Sequence, residues 1–97
     1  MKEVSLNELD CWRVEKRIYQ LIDVRDRQEH LEFNIGGVLV PLPELRQHIV
    51  HFEASLPVVV YCKRGIRSQI AIQRLQHWGI KGDFYNLKGG ILPLLKT

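Results

Sequence analysis

An α/β domain with a mostly parallel central sheet and helices on both faces is the fold this 97-residue sequence predicts, and three observations predict it. PVVVY, residues 57 to 61, holds almost no polar group, as a central strand covered on both sides requires. Strand-like and helix-like patterns alternate along the chain, the order that βαβ units produce. Hydrophobic residues make up 45% of the chain and charged residues 26%, with no repeat or low-complexity tract, so residues 1–97 read as one domain able to bury a core.

Each element has its own signal. Glu3 and Val4 suit a short first strand, and Ser5 with Glu8 three residues later forms a capping box for a helix reaching about Arg17. Residues 18 to 24, IYQLIDV, read as a buried strand that ends at the acidic and basic cluster from Asp23 to Arg27. A short helical segment from about Asp26 to Phe33 follows. Gly36 and Gly37 break the pattern, and VLVPL offers a brief strand. PELRQHIVHF, residues 43 to 52, has the spacing of a further helix, with Leu45, Ile49 and Phe52 on one side. After the central strand, a helix from about Ser68 to Trp78 carries Ala71, Leu75 and Trp78 on one face, with Gly79 as its cap. FYNL at 84–87 completes the sheet.

This order gives Cys62 an address. It stands at the carboxyl end of the central strand, directly before a helix, which is where open α/β sheets bind their ligands. A turn there aims backbone N–H groups inward, and the helix N-terminus adds partial positive charge. Both effects favour a thiolate, and Lys63, Arg64 and Arg67 in the same loop are expected to help lower the thiol pKa. Gly65 suits a tight cradle that needs positive φ. A lone cysteine is often only a small core residue. The Lys-Arg-Gly-Ile-Arg-Ser sequence after Cys62 has no packing rationale, so the nucleophile reading is the stronger one. Cys11, inside the first helix beside Trp12, reads as a packing or half-exposed residue, with a resolving thiol as the lesser alternative.

Several classes are excluded or weakened. Two cysteines are too few for a disulfide scaffold, and four histidines fall in no metal-ligand spacing with them, so no metal is expected. The net charge of +3 is mild and its basic residues are scattered, which argues against nucleic acid. The start, MKEVSLNELD, lacks the apolar core of a secretory signal, and no apolar run is long enough for a membrane span, so a cytoplasmic location and no membrane partner are expected. An initial methionine fits a free-standing small protein.

CKRGIRS, followed by a helix and by HWGIKGDFYNLKGGI, resembles the active-site loop and downstream half of the rhodanese-like sulfurtransferases, whose pattern is Cys-x-x-Gly-x-Arg-Ser/Thr. LIDVRDRQEH, residues 21 to 30, is similar to that family's Asp-Val-Arg signature. Two departures stand out. The family's Gly-His-Ile-Pro-Gly-Ala segment appears as Phe33-Asn34-Ile35-Gly36-Gly37-Val38, and the tryptophan common after Gly89-Gly90 is absent. The resemblance implies a rhodanese-like domain and a two-step transfer without a cofactor. Cys62 takes the outer sulfur of a donor such as thiosulfate, and a second nucleophile removes it.

In that scheme the backbone of Lys63, Arg64, Gly65, Ile66, Arg67 and Ser68 holds the negative sulfur. Arg67 is expected to orient the anionic donor, Lys63 and Arg64 to attract it, and Ser68 to act as helix N-cap and hydroxyl donor together or as a plain N-cap. Asp23 and Arg25 are expected to brace the loops as an ion pair. The partners expected are a small anionic sulfur donor and, as an alternative, a sulfur-carrier or persulfide-donor protein. The loop from Cys62 to Arg67 is Cys-x4-Arg, one residue shorter than the Cys-x5-Arg of tyrosine phosphatases, and it holds no acidic residue to protonate a leaving group. Phosphatase turnover should therefore be weak or absent. A module that relays sulfur or senses oxidants without turnover is the alternative of another class.

Overall fold

The computed structural model describes residues 1–48, 53 and 55–95. Its sheet has five strands, β1 (Glu3–Val4), β2 (Gln20–Asp23), β3 (Val38–Leu39), β4 (Pro57–Tyr61) and β5 (Asp83–Leu87), all parallel and in the order β1-β5-β4-β2-β3. Helices α1 (Leu6–Val14), α2 (Arg27–Glu32) and α3 (Ile66–His77) join them. β4 lies at the centre because its residues can be covered on both sides. Val58, Val59 and Val60 are each fully buried.

The period of two along β4 sorts the core into two layers. Val58, Val60 and Cys62 point to one face and pack with Ala71, Ile72 and Leu75 of α3 and with Phe84. Val59 and Tyr61 point to the other face, where Leu9 of α1, Val4, Leu87 and Ile91 cover them. Helices therefore lie on both faces, as expected. Each fully buried aliphatic side chain here contributes roughly 1.5–3 kcal/mol relative to an exposed one. α2 buries none of its residues and works through polar contacts instead.

Element boundaries differ from the sequence reading where caps override periodicity. α1 carries the Ser5–Glu8 capping box but stops at Val14 instead of about Arg17. Lys16 adopts a left-handed φ of 58°, while the N–H groups of Lys16 and Arg17 bond back to the carbonyls of Arg13 and Trp12, a Schellman closure. The brief strand ends at Leu39. The helix expected over residues 43–52 is instead a 3₁₀ turn, Leu42–Glu44, followed by turns to His48. Pro41 and Pro43 have no N–H to give, and the segment is held by i→i+3 bonds from Glu44 to Pro41 and from Leu45 to Leu42. Leu45 is buried as expected, whereas Ile49 and Phe52 lie outside the described residues.

The chain order sets the location of the site. From β2 the chain moves through α2 outward to β3, and from β4 it moves through α3 the other way to β5. The carboxyl ends of β2 and β4 are neighbours whose connections diverge, which opens a crevice between them. Asp23 pairs with Tyr61 across that step, so the Asp23–Arg27 segment and the loop after β4 face each other.

Candidate active site

Cys62 follows the last residue of β4 and is only 1% exposed. The backbone then turns so that the N–H groups of Gly65 and Ser68 donate to its Sγ, at 3.1 and 3.4 Å. That turn depends on Gly65, whose φ of 90° is one that side chains rarely adopt. Gly65 also lies against the next turn, where an added Cβ would sit 3.2 Å from Gly89 N. Gly90 is under tighter constraint. Its missing Cβ would fall 2.4 Å from the backbone of Lys63, and this close approach lets Ile91 and Leu92 donate N–H bonds to the carbonyls of Cys62 and Lys63. Gly89-Gly90 is thus the support on which the cysteine loop rests.

Ser68 is not the N-cap of α3. The helix begins at Ile66 with Gly65 as its cap, which places Ser68 in the first turn, fully buried, with its Oγ 3.3 Å from Cys62 Sγ. The same hydroxyl donates to Asn86 Oδ1, and Asn86 Nδ2 donates to the carbonyl of Gly65 at 3.2 Å. A serine hydroxyl has one hydrogen. With that hydrogen on Asn86, Ser68 Oγ can only accept from the thiol; to stabilise a thiolate, the hydroxyl must turn from Asn86 to sulfur. Asn86 therefore competes with the anion for the Ser68 proton.

Burial pushes the Cys62 thiol up. The Ser68 hydroxyl and the N–H groups of Ser68, Arg64 and Gly65 pull it down by more, so the thiol sits below its usual range. As expected of a turn that aims its N–H groups inward, neutral hydrogen bonds lead this effect, and the basic side chains are not among its leading causes. Arg67 in particular forms a bidentate fork with Glu29 of α2, at 2.7 and 2.9 Å, while lining the depression beside Cys62. That pairing holds the Glu29 carboxyl down at about 2. Lys63 is half-buried and Arg64 exposed. Among the described residues neither has an ion-pair partner, so their charge is free to act on an approaching anion. With Cys62, Ile66 and Arg67 they line a depression of about 260 Å³.

On the facing side of the crevice, Asp23 and Arg25 form the expected ion pair, 2.8 Å between Nη2 and Oδ2, with both side chains almost fully buried. Arg25 also donates to the Phe33 carbonyl, and Asp23 bonds His30 Nδ1 at 2.8 Å. Burial pushes the Asp23 carboxyl up, but the bonds from Arg25 and His30 outweigh it and the net shift is downward. Tyr61 stands beside this pair. Its hydroxyl donates to Gly36, and burial raises it to about 12. Cys11 is exposed on α1, which covers the face of the sheet opposite Cys62, so of the two expectations for it, packing or half-exposed, the packing one does not hold. Among the described residues no cluster of histidine, cysteine and carboxylate groups could hold a metal, and no helix is long and apolar enough to cross a membrane.

Three residues of this site escaped the sequence reading. Glu29 was signalled as the third helical residue after the N-cap Asp26, a second capping box. Asn86 is a polar residue at a buried position of β5. His30 carried no local signal.

A family model described as rhodanese-like domain matches residues 6–95 of this chain. The chain belongs to that family. A Coxiella burnetii protein named thiosulfate sulfurtransferase GlpE is 34% identical over 88 residues, covering 89% of this chain and 81% of its own. The Bacillus subtilis protein YqhL, described as uncharacterized, is 39% identical over 80 residues, covering 81% of this chain and 63% of its own length. The crystal structure of a rhodanese-like domain protein from Staphylococcus aureus superimposes with a TM-score of 0.81 at 25% identity, over 94% of this chain and 88% of that one.

Proposed function

We propose that this rhodanese-like domain is a sulfurtransferase that carries sulfane sulfur on Cys62. One observation supports the reading above the rest: Cys62 Sγ receives N–H bonds from Gly65 and Ser68 and lies beside the Ser68 hydroxyl, with no counter-charge in contact. Such a cradle favours a thiolate and, after loading, a negative sulfur.

In the first step the Cys62 thiolate attacks the outer sulfur of thiosulfate. A new S–S bond forms, the donor's S–S bond breaks, and sulfite leaves with its electron pair. Lys63 and Arg64 draw the dianion in, and the backbone of residues 63–68 holds the terminal sulfur. Arg67, paired with Glu29, fixes the start of α3 at the wall of the Cys62 depression. Asp23 and Arg25 act as a brace and touch neither reactant. In the second step an acceptor nucleophile takes the outer sulfur and returns the electron pair to Cys62. No cofactor enters either step. A thiol nucleophile and the exposed Cys11 both suit a reducing compartment, which supports the cytoplasm as the site of action.

Intact-mass measurement after incubation with thiosulfate tests this reading. Wild type should gain one sulfur and Cys62→Ser none, and cyanide should remove the adduct with release of thiocyanate. If wild type alkylates quickly at Cys62 yet never gains sulfur from thiosulfate, the thiosulfate assignment fails. The unpaired Lys63 and Arg64 then favour an acidic persulfide-donor protein as the source.

A further inference from the structure

Ser68 and Asn86 lie behind Cys62, away from the depression by which a donor arrives. Neither lines that depression, and they are 0% and 3% exposed. Their hydrogen bonds run in one direction. The Gly65 carbonyl can only accept, so the Asn86 Nδ2 group that meets it at 3.2 Å fixes the amide, and Oδ1 must face Ser68. The single Ser68 hydrogen therefore has two claimants, Asn86 Oδ1 and, at 3.3 Å from the hydroxyl oxygen, Cys62 Sγ.

Loading with sulfur changes which claimant is the stronger. While Cys62 is a free thiolate, the negative charge sits on Sγ, which draws the hydrogen and leaves the buried Oδ1 without a donor. When Sγ takes the outer sulfur of thiosulfate, the new S–S bond forms, the donor's S–S bond breaks and sulfite leaves with its electron pair. The charge then rests on the outer sulfur, on the side of the depression, and Sγ is a neutral and weak acceptor. The hydrogen returns to Asn86.

Taking the sulfurtransferase reading as its basis, we propose that Asn86 is a positioning residue that favours the sulfur-loaded form of Cys62 over the free thiolate, by holding the Ser68 hydrogen whenever Sγ carries no charge. Asn86 touches neither reactant. It weakens the cradle around the empty thiolate and leaves its own bonds intact around the persulfide, which biases the protein toward keeping sulfur.

The test is the loading equilibrium, read by intact mass as loaded and free fractions across a series of thiosulfate-to-sulfite ratios, at a pH where Cys62 is ionised in every variant. Asn86→Leu and Asn86→Val should each lower the equilibrium constant about fivefold, as the loss of one neutral hydrogen bond gives. Combined with Ser68→Ala, the same substitutions should change nothing further, because no hydrogen is left to compete for. A constant unmoved by the single substitutions would overturn the proposal. So would an equal fall when Ser68→Ala is already present, since Asn86 would then act only by holding the Gly65 carbonyl. A readout on the native residue covers variants that do not fold: the Asn86 side-chain amide NMR resonance should move on loading in wild type and stay in place in Ser68→Ala. No movement, or equal movement in both, would overturn the proposal. Failure of wild type to load at any ratio would overturn the sulfurtransferase reading instead.

Discussion

Two buried polar assemblies face each other across the crevice, and they are built on opposite principles. On the β2 side, Asp23 and Arg25 join opposite charges at hydrogen-bonding distance, and His30 bonds the same carboxylate. On the β4 side, Cys62, Ser68 and Asn86 are joined by neutral donors and acceptors, and the thiol has no cation in contact. The first assembly pairs its charges within itself. The second has donors converging on an atom whose charge can change. Bracing and reactivity are therefore separated in space, although the two strands are neighbours.

Breaking the charged assembly should have the larger effect on stability. Asp23→Ala strands the Arg25 guanidinium, which is only 2% exposed, and should cost about 3–5 kcal/mol in urea unfolding. Adding Arg25→Met to that variant should restore much of the loss, because the penalty comes from an uncompensated buried charge and not from a missing contact. A double variant no more stable than Asp23→Ala would show instead that the pair is needed to shape the loop.

Next comes the support under the neutral assembly. Gly90→Ala puts a methyl group 2.4 Å from the Lys63 backbone at a φ of 64°, so the cysteine loop must shift. A loss of about 1–3 kcal/mol is expected, with sulfur loading reduced by more than the folded fraction alone accounts for. Gly89→Ala has no atom within 4 Å of the added methyl, and its strain is confined to its φ of 76°. It should therefore slow loading less. Equal effects on loading would remove the argument that close packing positions the loop.

Within the neutral assembly, Ser68→Ala removes the leading group that lowers the Cys62 thiol. Wild-type Cys62 ionises below the usual thiol range, so its alkylation rate rises with pH earlier than a free thiol's does. In Ser68→Ala the midpoint of that rise should move upward, and loading near neutral pH should slow about tenfold. Asn86→Leu should do the reverse to the midpoint, since it frees the Ser68 hydrogen for sulfur. An unmoved midpoint in both variants would mean that the backbone N–H groups suffice.

This contrast marks how far the sequence could be read. PVVVY, Cys62 and Gly65 were legible because a run of buried residues, a thiol at its end and a glycine in the turn are local facts with local physics. The pairing of Arg67 was not, because its partner Glu29 lies 38 positions away and only the fold brings α2 to α3. Arg67 was therefore expected to orient the donor. Ser68 was taken for a cap because serine favours that position, while the left-handed Gly65 had already started the helix two residues earlier. Over its described residues, to His48, the helix expected at 43–52 gave way for a third reason: its apolar spacing was correct for burial of Leu45, but the turn that begins at Pro41 and Pro43 is held by i→i+3 bonds.

The smallest effect expected belongs to the contact that spans the crevice. Glu29 is held at about 2 when folded, against an ordinary 4.5, chiefly by the Arg67 fork. A carboxyl depressed on folding adds stability that is fully present above about pH 4.5 and is lost as the pH falls toward 2. Glu29→Gln should flatten the acid limb of the stability profile in that window and leave it unchanged in direction elsewhere. Near neutral pH the cost should be about 1 kcal/mol or less, because both side chains are partly exposed to solvent and salt. The same substitution releases Arg67. Arg67 and the Cys62 thiolate attract each other, so freeing the guanidinium of the Glu29 charge should lower the KM for thiosulfate and move the alkylation midpoint of Cys62 slightly downward. A midpoint left in place would show that Arg67 does not act on the thiolate.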